Sequence, residues 1–130
     1  MQFKENEAIY LQIAEHISDS ILRKELPKDA KIPSVRELAV SLAVNPNTIM
    51  RSYAYLEEKG IIYNQRGIGY FVAKDALDVV MKLKMNEFIE RELPQFFKKM
   101  ALLKISLKDL KELYYKTHTT NGKEITYEAQ

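Results

Sequence analysis

Residues 43–53, AVNPNTIMRSY, place a proline between two asparagines and then run into residues of helical character. Local chemistry accounts for part of this. The side-chain oxygen of Asn45 suits an N-cap, and Pro46 falls at the first helical position, where a missing N–H costs nothing. Asn47, Thr48 and Arg51 are left over. At about 100° per residue, Ile49, Tyr53 and Leu56 share a narrow arc, the expected core face of a helix over 47–59 closed by Gly60. Asn47, Thr48, Arg51 and Tyr55 share another arc, roughly opposite. An amide, a hydroxyl and a guanidinium there suit base edges and phosphates: Arg pairs with guanine, Asn with adenine, Thr with a phosphate or a thymine methyl. The same residues would also make an ordinary solvated face, so their surroundings must decide.

Upstream, Tyr10, Ile13, Ala14, Ile17 and Ile21 recur at 3/4 spacing and predict an amphipathic helix from about 7 to 25. LPKDAKIP (26–33) carries two prolines and breaks it. Ser34 then caps a short second helix ending near Leu42; Glu37, three residues on, has capping-box spacing, and Val35, Leu38, Ala39 and Leu42 give it an apolar face. The short turn AVNP leads into the helix over 47–59. Downstream, IIYNQ (61–65) and YFVA (70–73) are β-prone and joined by RGIG, whose glycines at 67 and 69 suit a tight hairpin. Helix, helix, short turn, helix, hairpin is the order of a winged helix-turn-helix. The expected class is mainly α with a small β-wing: a winged helix-turn-helix over 1–75, then a short all-helical dimerisation region over 76–130.

Charge gives only local support. Residues 1–75 hold ten basic and ten acidic residues, yet within 31–74 six bases (Lys31, Arg36, Arg51, Lys59, Arg66, Lys74) face three acids. A polyanion partner therefore depends on where a few bases sit. Arg36, near the start of the second helix, is placed to meet a phosphate backbone, though a surface ion pair would also explain it. Arg66, at the hairpin tip, can reach a minor groove, though a tip arginine is usually just solvated. The chain has no cysteine, which excludes disulfides and thiolate metal sites. Its polar start and lack of a long apolar run point to a cytoplasmic protein with no membrane partner. His16 and His118 stand far apart, and no nucleophile–base set or phosphate-binding glycine loop is visible, so neither an enzyme nor a cofactor is expected.

The stretch IPSVRELAVSLAVNPNTIMRSYAYLEEKGIIYNQRGIGYFV (32–72) resembles the DNA-binding domain of the GntR family of bacterial transcription regulators, with PSVRELA, VNPNT and RGIGYFV in matching order and spacing. The preceding IYLQIAEHISDSIL fits the family's first helix. NPNT, with only residues 76–130 after the wing, resembles the YtrA subfamily. The resemblance implies a double-stranded DNA operator as partner. It implies phosphate contact by Arg36 with Ser34 and Lys31 nearby, groove contact by Asn45, Asn47, Thr48 and Arg51, and a wing formed by Arg66, Gly67 and Gly69. It further implies a repressor of its own operon, often one encoding an ABC transporter, and leaves room for an unidentified small-molecule effector. Two departures stand out. The family's usual Pro-Gly-Asp is Pro27-Lys28-Asp29 here, and Pro46 occupies the place of a DNA-contacting arginine in many relatives.

The remainder is read as helices over 76–92 (Leu77, Val80, Leu83 or Lys84, Phe88), over QFFKKMALL after an interruption at Pro94, and over 106–116 with Ser106 as N-cap and Asp109 at the third helical position. The tail from Thr117 is expected to be loose. Val80, Leu83, Phe88, Phe96, Phe97, Leu102 and Leu103 need a partner surface, which the resemblance makes a second copy of the chain; packing on the winged-helix domain is the alternative. A homodimer would present two recognition helices to a pseudo-palindromic operator. The competing function is a winged-helix module that binds protein, which would call for apolar anchors on the third helix.

Overall fold

The periodic apolar residues of the first helix do what their spacing requires: Ile13, Ala14, Ile17 and Ile21 are all buried along one face of α1 (Ile9–Leu22). The computed structural model describes residues 1–117 and the backbone of 119–120 and 123–124. α1 starts later than expected because the Gln12 side chain gathers the chain before it. Its Oε1 accepts from Lys4 N–H at 2.8 Å, and its amide donates to the Lys4 and Glu7 carbonyls at 2.9 Å.

α2 (Val35–Leu42) opens on a complete capping box: Ser34 Oγ accepts from Glu37 N–H and Glu37 Oε1 from Ser34 N–H, both at 3.1 Å. α3 (Pro46–Glu58) inserts Ile49, Ser52, Tyr53 and Leu56 into the core. Two polar anchors fix it there. Ser52 Oγ donates to the Tyr10 carbonyl at 2.8 Å, tying α3 to α1. The Tyr53 hydroxyl donates to the Pro33 carbonyl at 2.6 Å, tying it to the residue before the α2 cap, and burial pushes this phenol's pKa upward. Gly60, at φ +76°, turns the chain out of α3.

β1 (Ile62–Gln65) and β2 (Gly69–Val72) pair antiparallel, from Ile62 opposite Val72 to Gln65 opposite Gly69. The loop between α1 and α2 extends this ladder. Asp29 N–H bonds Val72 O at 2.8 Å, Val72 N–H bonds Ala30 O at 2.9 Å, and Ile32 N–H bonds Tyr70 O at 3.0 Å. The segment that breaks the helix is thus also a third edge of the wing. Its missing glycine costs nothing, because the left-handed position is Asp29 (φ +62°), a residue type that tolerates it, and not Lys28.

The same core takes in α4 (Ala76–Glu87) through Ala76 and Val80, and Lys84 Nζ pairs with Glu15 at 2.9 Å and Asp19 at 3.2 Å on α1. Two expectations change. Val80, assigned to dimerisation, is 1% exposed within this core and unavailable to a partner. The compact units are Met1–Asn86 and Glu87–Gln130, so the division falls beyond residue 75.

The second unit begins with a π-helical turn, Phe88–Glu92, closed by Leu93 N–H to Phe88 O, and continues into α5 (Leu93–Leu102). Pro94 therefore does not interrupt the helix as expected. The turn before it widens instead, relieving the clash a proline ring makes with the carbonyl four residues back. α6 (Leu107–Thr117) opens on Ser106, which exchanges hydrogen bonds with Asp109 at 3.1 Å. None of the described residues of this unit is buried. Of the tail expected to be loose, Thr119–Thr120 (β3) and Lys123–Glu124 (β4) pair antiparallel; His118 and the rest lie outside the described residues. No described helix is long and apolar enough to cross a membrane.

Candidate nucleic-acid interface

The turn between α2 and α3 is built by three consecutive local solutions. Ala43 takes a left-handed conformation (φ +55°), and Val44 N–H returns to Ala39 O at 3.0 Å, ending α2 within one residue. Asn45 Oδ1 then accepts from Asn47 N–H at 2.8 Å, and Pro46 supplies the first helical residue. The cap occupies the Asn45 acceptor but leaves its NH₂ donors free. Asn45 is therefore both a structural cap and an exposed donor at the head of α3.

The face that α3 presents is rotated from the expected one. Toward its N-terminal half the exposed residues after Pro46 are Asn47, Met50, Arg51 and Ala54, an i, i+3, i+4, i+7 stripe, with the exposed acids Glu57 and Glu58 confined to the last turn, while Thr48 and Tyr55 are half-buried at its flank. Tyr55 packs against the core. Met50, 56% exposed, and Ala54 escape a reading by polarity. Their signal is the helical spacing from Asn47, which a search for polar side chains passes over. Apolar groups at these positions suit thymine methyls.

The basic residues of the candidate interface form no ion pair among the described residues, although Lys31 is near enough to Glu37 to favour its ionised form. Among the described residues, ion pairs join Arg23 to Glu25 and Lys84 to Glu15 and Asp19, whereas Lys31, Arg36, Arg51 and Arg66 pair with no carboxylate. Arg36 lies in the first turn of α2, lining a shallow groove with Ala39, Val40, Val44 and Pro46, which brings it to the head of α3. Ser34 stands at the cap just before it. The Glu37 carboxyl is held below the usual carboxylate range by its hydrogen bonds to Ser34. Arg51 has a partner that sequence reading misses altogether: its guanidinium carbon lies 4.0 Å from the centre of the Tyr10 ring.

At the wing, Ile68 N–H closes a turn to Gln65 O at 2.9 Å, with Gly67 at φ +79° and Gly69 at φ +146°. Arg66 is exposed in that turn. Lys31 crosses the far side: a Cβ on Gly69 would stand 3.0 Å from Lys31 Cε. The backbone conformation of Gly69 favours glycine, and the two expected site residues are brought together. No group of three or more potential metal ligands occurs among the described residues.

Comparison with known proteins agrees with this architecture. Residues 9–72 match the family model described as bacterial regulatory proteins, gntR family. The chain is 41% identical over 121 residues to the uncharacterised HTH-type transcriptional regulator YhcF of Bacillus subtilis, covering 93% of this chain and 98% of that protein. It is 37% identical over 87 residues to the B. subtilis HTH-type transcriptional repressor YtrA, covering 67% of this chain and 66% of that one. Among solved structures, a putative GntR-family regulator from Bacteroides thetaiotaomicron superposes with a TM-score of 0.73 at 45% identity, covering 85% of this chain and 96% of that one. A GntR-family regulator from Listeria monocytogenes gives a TM-score of 0.73 at 35% identity, covering 88% and 98%. These relatives are transcription regulators and not enzymes. With the winged helix-turn-helix described above, they establish that this chain is a transcription regulator belonging to the GntR family.

Proposed function

We propose that the chain is a homodimeric, sequence-specific repressor of the YtrA subfamily that binds a pseudo-palindromic operator and controls the operon containing its own gene. By subfamily resemblance that operon encodes an ABC transporter, and the repressor works in the cytoplasm, with any small-molecule effector left open. The carrying observation is the α3 stripe, Asn47–Met50–Arg51–Ala54, flanked by bases in no described ion pair. Such a face combines base-edge donors with methyl contacts, while Arg36, Ser34, Lys31 and the wing supply phosphate and minor-groove contacts. Repression is supported by the likeness to YtrA of B. subtilis, a transcriptional repressor.

The dimer is supported by the second unit. Phe88, Phe96, Phe97, Leu102 and Leu103 are all at least 46% exposed, and none of that unit's described residues is buried. Helices with this much uncovered apolar surface are completed by a partner. Leu83 on α4, also exposed, belongs to the proposed interface; Val80 does not.

The test is binding of the purified chain to DNA upstream of its own gene, at physiological salt, against unrelated DNA of equal length. Tight binding to the upstream fragment alone, abolished by Arg51→Ala, is expected. Weak binding to both fragments, indifferent to the substitution, would overturn autoregulation through this face.

A further inference from the structure

A recognition helix is usually considered by itself, yet its arginine is met here by a residue of α1. Arg51 lies 4.0 Å over the ring of the half-buried Tyr10. The buried Ser52, next to Arg51 in sequence, donates to the Tyr10 carbonyl at 2.8 Å. Ring and arginine are thus held in register by a hydrogen bond from the Ser52 side chain to the Tyr10 main chain, which does not depend on the Tyr10 side chain. Among the described residues the Arg51 guanidinium donates no hydrogen bond and meets no carboxylate. A cation–π contact satisfies its charge in part and leaves the hydrogen-bonding fork free.

We infer that Tyr10 is a specificity-determining positioning residue: its ring is a platform that holds the Arg51 guanidinium in place to read a base. The inference rests on the proposal that α3 binds DNA. An exposed arginine samples many rotamers and loses that freedom on docking. One already stacked on a ring loses less, and a fixed fork distinguishes guanine from other bases better than a mobile one. Phosphate contacts need no such fixing, because any approach of positive charge to a polyanion is favourable. Tyr10 therefore acts on the ratio of specific to non-specific binding.

The full-length chain is first used to enrich a random-sequence duplex library, which yields a preferred duplex whatever the natural operator is. Affinities for that duplex and for a scrambled version are then measured for wild type, Tyr10→Leu, Tyr10→Phe, Arg51→Ala and the Tyr10→Leu/Arg51→Ala pair, with thermal unfolding of each. Tyr10→Leu is expected to weaken the preferred duplex by about three- to tenfold while sparing the scrambled one. Tyr10→Phe keeps the ring and should behave as wild type, and Tyr10→Leu should add nothing once Arg51 is gone. An unchanged or tightened preferred-duplex affinity in Tyr10→Leu would overturn the inference. So would an equal loss on both duplexes, or a Tyr10→Leu effect that persists without Arg51. If wild type enriches no sequence, the DNA-reading proposal itself fails and takes this inference with it. If Arg51→Ala loses discrimination and Tyr10→Leu does not, only the inference fails.

Discussion

Ala43 carries a methyl group at a left-handed backbone position, φ +55°, where glycine is the usual occupant. Ala43→Gly relieves that strain and should raise unfolding stability by about 1 kcal/mol, measurable by chemical denaturation; a loss of stability would show that the turn is not strained. Arg51 and Arg36 separate by role. Arg51→Ala should cost about 1–3 kcal/mol on a specific site and relax base preference, while Arg36→Ala should weaken all sequences alike and lower the salt slope. Equal effects of both on specific and random duplexes would contradict the assignments. At this scale, what is legible in the sequence is what is local. Ser34, Asn45, Pro46 and Gly60 act on neighbours within a few residues, so their roles follow from spacing. The stack of Arg51 on Tyr10 joins positions 41 apart and depends on how α1 and α3 pack, which no local pattern encodes.

Elements are legible as types more than as partners. Each of the helix-turn-helix helices and both wing strands form close to where their apolar spacing puts them. The prolines at 27 and 33 announce a helix end, but the pairing of 29–32 with β2 stays invisible, because a third edge reveals itself only once the hairpin exists. Pro94 reads as a stop, yet a helix can widen by one residue and continue. The α2 capping box offers a test belonging to this scale. Its carboxyl is depressed by hydrogen bonds to Ser34, so ionised Glu37 contributes stability above the unfolded-state pKa, and that contribution is lost as pH falls through the folded value. Glu37→Gln keeps a box without the charge. Wild type should exceed Glu37→Gln in stability near pH 6, and the gap should narrow as pH falls below the ordinary glutamate range. A gap independent of pH would mean that the ionised carboxylate contributes nothing at this cap.

The whole molecule divides by how each unit is stabilised. Residues 1–86 enclose a core to which α4 contributes Ala76 and Val80: α4 reads as the first helix of the appendage but buries these two residues with the domain before it, so Val80 is not open to a partner and the compact units divide at 86. Residues beyond 86 are the reverse case, with apolar residues at helical spacing and no described residue buried. A monomer in that state is poorly satisfied, and a two-fold dimer covers the same surface on both copies at once. Phe96 and Leu102 lie on α5 and are 46% and 80% exposed, so replacing both with glutamate should cost the isolated fold little. In a dimer the same charges would have to be buried, which is strongly unfavourable. Sedimentation should therefore find wild type dimeric at micromolar concentration and Phe96→Glu/Leu102→Glu monomeric, with the two unfolding at similar temperatures. Because two linked half-site contacts reinforce one another, operator affinity should fall by about 10²–10⁴-fold in the monomer, while binding to an isolated half-site stays near the wild-type value per subunit. A monomeric wild type, or a doubly substituted chain that still sediments as a dimer, would sink the assignment of the second unit; a monomer that keeps full operator affinity would separate dimerisation from DNA recognition.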